Sequence, residues 1–427
     1  VISTINGSDK AAYSKYIYAF AEVLKQQDWY AFGKSPCEIA ERVSLVCQQA
    51  INDVANTDFH KFDGHGSNVM RHLEQMVLLR AFRTCHHDTL LDLHRGQSNL
   101  KAFTVMGIEY LTLFSRLSGS PDTATFNGTV NAFVAYLEKR LTREDGSSYT
   151  PQEAWNALGI YGGDDGLSID VNPACAKRAA KMIGQDLEVE PVNRGDLGVK
   201  FLARVYSPNV WYGDLNTCCD LPRQLTKLHV TINLGHKVTP EMKFLEKMRA
   251  YFLTDENTPI LGDVVRRARY LLEADFEMDK LTAPMRPWGS DVPKDVQYFN
   301  DSADWMMDYV YTVLPEADVL AFVAWVTSCN TLQDLMKPPL LREGTPAESS
   351  VPVVVDDEIL PRSGCVKRAT KGGKSAETKP REIRAKESTP SGKVSDGKQK
   401  LTPEEFEAWK AKKIKAGTWR ENNPGSK

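Results

Sequence analysis

No stretch of the 427 residues approaches the ~18 consecutive apolar residues that a membrane-spanning helix needs. The best candidate, Val319 to Val326, is too short and reads as a buried helix. If the protein works at a membrane, its anchor is expected outside this sequence. Cysteine is sparse: eight residues, at 37, 47, 85, 175, 218, 219, 329 and 365. None forms a C-x-x-C pair and no histidine stands at zinc-finger spacing from them, which excludes the common zinc modules. A secreted disulfide scaffold is far denser in cysteine, so these read as reduced thiols of a cytosolic protein, mostly buried. A G-x4-G-K-[ST] phosphate loop is missing, which excludes the P-loop enzymes. Val1 to Lys10 has no apolar run behind a basic segment, so no signal peptide is expected. The first residue is valine, so a fragment or a processed product is expected. His86, His87 and His94 have no carboxylate pattern beside them, and Cys218-Cys219 read as buried thiols rather than ligands.

What is present is an ordinary globular composition, 42% hydrophobic and 26% charged, long enough for two or three domains. The net charge of −3 conceals an asymmetry. Residues 361–427 carry 18 Lys/Arg against 8 Asp/Glu, so the last stretch is about +10 and the rest about −13. A basic tail on an acidic body suggests nucleic acid or an anionic surface as a partner.

Periodicity and capping signals organise the first 335 residues. Ser35-Pro36-Cys37-Glu38 is a capping box that opens a helix to about Gln49. Val54 to Phe59 reads as a strand, Val69 to Phe82 as a helix, and Val105 to Phe114 as a strand. Thr123 to Leu141 is a helix with Phe126, Val130, Phe133, Val134 and Leu137 on one face. Ala157 to Val171 reads strand, turn, strand around Gly162-Gly163-Asp164-Asp165-Gly166. Pro173 to Ile183 is a helix stopped by Gly184, and Val199 to Tyr206 another strand. From Pro240 to Leu335 the pattern is mainly helical. Residues 342–400 are too poor in large apolar side chains to offset chain entropy, and disorder is expected there. Thr402-Pro403-Glu404-Glu405 is a second capping box, leading a short helix to about Ala416 with Phe406 and Trp409 on one face.

The chemistry gathers in three segments. Asp58-Phe59-His60-Lys61-Phe62-Asp63 ends a predicted strand, and Gly163-Asp164-Asp165-Gly166 tips a predicted hairpin. Strand-borne aspartates brought side by side repel one another and hold divalent cations well. Hard oxygen ligands suit Mg²⁺, which takes one or two carboxylates plus substrate phosphates. A two-metal site stabilises the attacking and leaving oxygens of an in-line phosphoryl displacement. The third segment is Arg116-Leu117-Ser118-Gly119-Ser120-Pro121-Asp122-Thr123-Ala124-Thr125-Phe126-Asn127. A Ser-Gly loop opening a helix offers backbone donors beside a substrate, and Thr123 and Asn127 share a helical face. Asp63 and Asn127 together could bind a ribose 2′-hydroxyl, the group that separates RNA from DNA. Singly each signal is weak; their joint occurrence is informative.

Asp58-x4-Asp63, Ser118-Gly-x3-Thr123-x3-Asn127 and Gly163-Asp164-Asp165 resemble motifs A, B and C of positive-strand RNA virus RNA-directed RNA polymerases, in order and spacing. Ala179 to Arg194 resembles motif D, and Phe201-Leu202-Ala203-Arg204-Val205-Tyr206 resembles motif E, the primer grip. Trp29 to Pro36, with the central Gly-Asp-Asp-Gly, looks most like nodaviruses. The resemblance covers residues 1 to 335. It implies an α+β fold: a right-hand polymerase palm, an antiparallel sheet with flanking helices, followed by a mainly helical thumb and a disordered basic tail. The implied organisation is the C-terminal part of the fingers at 1–50, palm with motifs A to E at 51–210, thumb at 211–340, and tail at 341–427 with its helix near 403–416.

The implied site has Asp58, Asp164 and Asp165 as catalytic metal ligands for Mg²⁺, with Mn²⁺ as an alternative. Asp63, Arg116, Ser118, Gly119, Thr123, Asn127 and Arg194 would bind the nucleotide, and Phe201, Leu202 and Arg204 the primer. Arg194 stands where a motif D lysine is common, with Lys200 nearby as an alternative. The implied partners are template and nascent RNA, ribonucleoside triphosphates and other replicase subunits. The implied location is host cytoplasm at membrane-associated replication sites, reached through regions outside this sequence. The basic fingers motif that grips the triphosphate is not found in residues 1–50, so a need for upstream fingers is expected. Two other readings are a reverse transcriptase, disfavoured by Asn127 beside Asp63, and a non-catalytic RNA-binding or replication-complex assembly module acting through the tail.

Overall fold

The computed structural model describes residues 5–104, 107–231, 234, 238–272, 298–339 and two short strands at 354–355 and 358–359. The chain divides into two units, Val1–Thr345 and Pro346–Lys427. In the first, helix α1 (Gly7–Leu24) is capped by Asn6, and α2 (Pro36–Gln49) starts on the complete Ser35/Glu38 capping box. Strand β1 (Asp53–Phe59) follows, then α3 (Asn68–Ala81), α4 (His87–Arg95) and a small hairpin, β2 (Lys101–Phe103) with β3 (Glu109–Leu111). The strand expected over 105–114 is thus shorter. Its described part pairs back on Lys101–Phe103, because the chain turns at Gly107 (φ 79°) and again at Leu113 (φ 46°).

Next come α5 (Thr123–Arg140), α6 (Pro151–Asn156), β4 (Ile160–Gly162), β5 (Asp165–Ile169), α7 (Pro173–Met182) and β6 (Leu187–Asn193). Strands β4, β5, β1 and β6 form, in that order, one antiparallel sheet. Strand alternation gives it two covered faces. Val54, Ile160, Leu167 and Val192 pack with Val43, Val46 and Cys47 of α2. Phe59 and Leu187 pack with Val130 and Val134 of α5 and with Ala176, Ala179 and Ala180 of α7. Leu167 is completely buried in the sheet's centre, so truncating it to alanine should cost ~2–5 kcal/mol.

A second antiparallel sheet follows: β7 (Lys200–Phe201), β8 (Arg204–Tyr206) and β9 (Thr217–Cys219). The single strand expected over 199–206 is therefore a tight hairpin. Leu202 (φ 48°) and Ala203 (φ 60°) both take left-handed backbone, the pattern of a type I′ turn. No glycine or asparagine announces it. Beyond β9 the described chain is helical: α8 (Leu221–Leu228), α9 (Pro240–Thr254), α10 (Leu261–Leu272), α11 (Trp305–Val313), α12 (Glu316–Ser328) and α13 (Leu332–Leu335). Met248, Leu261, Val264, Val265, Met306 and Val310 form its core. Helix α12 contains the apolar run at 319–326, and among the described residues one side of it is covered: Val319, Phe322 and Val326 are buried while Leu320 and Val323 are exposed. Among the described residues no single helix is long and apolar enough to cross a membrane.

In the second unit β10 (Val354–Val355) pairs antiparallel with β11 (Glu358–Ile359), inside the stretch expected to lack order. The rest of that stretch and the expected helix near 403–416 lie outside the described residues. Of the described cysteines, 47, 175, 218, 219 and 329 are buried and none is bridged. Burial pushes the Cys47 and Cys218 thiols up to about 12.

Candidate active site

Register brings the carboxylates together. β1 and β5 pair with Val54 opposite Ile169 and Thr57 opposite Gly166. One step further along, Asp58 faces Asp165, on the cleft side of the sheet by strand alternation. Asp165 also closes the β4–β5 hairpin opposite Gly162, leaving Gly163 and Asp164 as a two-residue loop. Gly163 has φ 75° and Asp164 has negative φ, the pattern of a II′ turn, which needs glycine first. Asp164 is thereby lifted to the tip, exposed like Asp58, with Asp165 half-buried between them.

Electrostatics register the crowding. Burial raises the Asp165 carboxyl to about 6, the charges of Asp164 and Asp58 add to the rise, and Arg223 opposes it. Asp164 is raised as well, chiefly by burial, with Asp58 and Asp63 contributing and Arg223 again opposing. Such a cluster favours a cation that would neutralise it. Among the described residues no three His, Cys, Asp or Glu side chains enclose an ion by themselves. Mg²⁺ is usually held by one or two carboxylates and completed by substrate phosphate. Asp58, Asp164 and Asp165 supply carboxylate oxygens of the kind such a site uses.

Helix α5 braces both segments. Asn127 Nδ2 donates to Asp63 Oδ1 at 2.9 Å, and Ser118 Oγ donates to Asp63 Oδ2 at 2.9 Å. The Asn127 Oδ1 is buried and has no partner among the described residues, leaving an acceptor for a hydroxyl. Thr123 Oγ1 lies within hydrogen-bond distance of the carbonyls of Leu117, at 2.8 Å, and Ser120, at 3.1 Å. It therefore holds the loop carrying Ser118 and Gly119 from behind. One turn along the helix, Asn131 Nδ2 lies 3.1, 3.0 and 3.1 Å from the carbonyls of Gly163, Asp164 and Asp165. Sequence reasoning missed Asn131; its position four residues after Asn127, on the same helical face, was the available signal.

Two open cavities border the carboxylates. A cleft of about 530 Å³ is lined by Asp58, Asp165, Lys200, Phe201, Leu202 and Arg223, among others. A second, of about 550 Å³, is lined by Lys61, Asp63, Tyr110, Ser118 and Asp164, among others. The β7–β8 hairpin leans on the β4–β5 hairpin. A Cβ at Gly162 would come within 2.9 Å of the end of the Leu202 side chain, which would have to shift to admit it.

Three of the side chains expected at ligands have protein partners in the structure. Arg116 stands at the wall of the second cavity. Its side chain is fully buried, Nη2 donates to Glu74 Oε1, and Nη1 lies 3.5 Å from Asp122 Oδ2. A buried guanidinium needs carboxylate partners, and those two hold it inside. Arg204, which borders the first cleft, is likewise engaged by protein partners. Its Nη1 donates to both Asp255 oxygens at 2.8 and 2.9 Å, and Tyr298 covers it at 4.3 Å. It ties the hairpin to the C-terminal helices. Arg194 lies at the wrong end of the sheet. Asp53 pairs with Asn193, so Arg194 stands five residues or more along β1 from Asp58, roughly 17 Å at strand rise. Its Nη1 donates to the carbonyls of Cys47 and Ala50. Lys200 lines the cleft instead, as does Arg223, which the sequence reading did not single out.

The fold is α+β, with antiparallel sheets and a helical C-terminal part. The chain is homologous to a stretch of the RNA-directed RNA polymerases of nodaviruses. It is 32% identical to that of striped jack nervous necrosis virus, over 84% of this chain and 36% of the relative. It is 35% identical to that of greasy grouper nervous necrosis virus, over 61% of this chain and 26% of the relative. The chain thus spans about a quarter to about a third of the length of the curated relatives it matches. No family model matches. Among solved structures, the insertion-loop deletion mutant of the RNA-dependent RNA polymerase of a human picorbirnavirus is similar with a TM-score of 0.49 at 13% identity, over 69% of this chain and 55% of that one.

Proposed function

We propose that this chain carries the palm and thumb of a viral RNA-directed RNA polymerase, with palm at 51–210, thumb at 211–340 and the end of the fingers at 1–50. The observation that carries the reading is the register that sets Thr57 opposite Gly166, so that the next residues Asp58 and Asp165 stand beside the Asp164 turn and feel one another's charge, flanked by the Asp63–Asn127–Ser118 cluster.

In this reading the nucleotide enters through the cavity at Asp63 and Ser118, and the primer end lies in the cleft at Lys200, Leu202 and Arg223. The Asn127 amide and the Asp63 carboxylate take the ribose 2′-hydroxyl, which selects ribonucleotides. The primer 3′-hydroxyl attacks the α-phosphorus in line, a new phosphodiester forms, and the bond to pyrophosphate breaks. Asp58, Asp164 and Asp165 would hold Mg²⁺, or Mn²⁺, which when bound stabilises charge on the attacking and leaving oxygens. Arg223 and Lys200 offset the acidity of the cleft and would meet primer phosphates. Replication at host membranes, with further replicase subunits, belongs to the same proposal and is carried by kinship alone.

The test is primer extension on an RNA template with Mg²⁺ and ribonucleoside triphosphates, using the chain extended upstream to full fingers. Extension that disappears in Asp164→Ala and is not supported by deoxynucleotides is the expected result. Equal use of deoxynucleotides would instead support a reverse transcriptase. No extension by a folded, RNA-binding protein would support a binding module.

A further inference from the structure

We propose that Lys61 grips the triphosphate of the incoming nucleotide, the role expected of Arg116. This rests on the polymerase reading and adds a residue to it. In sequence Lys61 lies between Asp58, near the end of β1, and Asp63, in the turn that follows it, and it lines the nucleotide-side cavity together with Asp63, Ser118 and Asp164. Its side chain is exposed there, and among the described residues its ammonium makes no ion pair and no hydrogen bond. The other cation at that cavity, Arg116, is neutralised by Glu74 and Asp122. An acidic cavity that receives a polyanion needs a free cation on its wall, and Lys61 is one.

The backbone supplies an independent observation. Lys61 has φ 50° and ψ 49°, left-handed backbone that a lysine adopts at a cost. Its carbonyl accepts from Gly64 N at 2.8 Å and His65 N at 3.2 Å, closing the turn that swings Asp63 back beside Ser118. Glycine or asparagine would serve that turn better. Strained backbone of this kind gathers at ligand clamps, and here the strained residue presents the free charge.

The same geometry makes a clean variant available. Lys61→Gly removes the ammonium and relieves the backbone, so the fold is kept; Lys61→Arg restores a cation. Binding of GTP, GDP and guanosine to the full chain with Mg²⁺ is measured by calorimetry for wild type and both variants, alongside melting temperature. Lys61→Gly is expected to weaken GTP binding roughly ten- to a hundred-fold, the loss of a charge-assisted contact. Guanosine affinity and melting temperature stay as in wild type, and Lys61→Arg binds GTP nearly as wild type does. GTP binding by Lys61→Gly equal to wild type overturns the proposal while leaving the polymerase reading intact. A wild-type chain that binds no GTP removes the nucleotide site itself, and the proposal with it.

Discussion

Glu74→Gln isolates the device that holds the loop beside the nucleotide cavity. Glu74 is buried in α3 and takes three cationic or imidazole partners. Oε2 accepts from Arg71 Nη1 at 3.1 Å and lies 2.8 Å from His94 Nε2, while Oε1 accepts from Arg116 Nη2. Arg116 continues to Asp122, which accepts from the Tyr13 hydroxyl at 3.2 Å. Glutamine keeps the volume and removes the charge, leaving two buried guanidiniums with one carboxylate. Breaking a buried pair in this way costs ~3–5 kcal/mol. Linkage gives a similar size. Burial pushes the Glu74 carboxyl up, but Arg116, the His94 hydrogen bond and Arg71 together bring it from 4.5 down to about 2. A depression of that extent corresponds to about 3 kcal/mol.

Because the folded pKa is depressed, that stability is complete above the unfolded value near 4.5 and is lost as pH falls toward 2. Urea melts of both proteins across pH 3 to 7 should therefore show a constant gap above about pH 5 that narrows on acidification. The control is Glu22→Gln, which breaks an exposed 2.6 Å pair with Lys25 and should cost under about 1 kcal/mol. A Glu74→Gln penalty as small as the control's, or a gap that does not change with pH, would refute the reasoning.

Asn131→Ala removes the amide beneath the turn and leaves three carbonyls without their donor. In the upstream-extended protein, single-nucleotide incorporation should fall by ten-fold or more, since small misplacements of reacting groups carry large penalties, while RNA binding by filter retention stays unchanged. Asp255→Asn strands the buried Arg204 charge and should lower stability by ~3–5 kcal/mol in thermal melts. Arg204→Met combined with Asp255→Asn should regain part of that loss, because the stranded charge is removed while the asparagine oxygen still accepts from the Cys219 amide and the Thr258 hydroxyl.

Local chemistry was legible in the sequence, and long-range partnership only where a motif announced it. The helix after Ser35 and the β4–β5 hairpin follow from capping and turn residues within short windows, whereas the pairing of Asp63 with Asn127, 64 residues away, was legible only from the joint motif pattern. The burial of Arg116 depends on Glu74, 42 residues away, and that of Arg204 on Asp255, 51 residues away. No local pattern distinguishes an arginine aimed at phosphate from one enclosed by a carboxylate. Arg194 was misplaced for a topological reason: β6 runs antiparallel to β1, so residues late in it recede from Asp58. The β7–β8 turn escaped because Leu202 and Ala203 hold left-handed backbone without the usual residues. Arg223 enters the site only through the packing of α8 against the cleft.

The central claim is that Asp58, Asp164 and Asp165 form one cation site that a nucleotide's phosphates complete. Electron paramagnetic resonance of Mn²⁺ with this chain tests it directly, with and without a ribonucleoside triphosphate, in wild type, Asp58→Asn and Asp164→Asn. The account predicts weak Mn²⁺ retention by the wild-type chain alone, strong retention with the triphosphate, and loss of that gain in both variants. Retention with the triphosphate that is the same in all three proteins would contradict it.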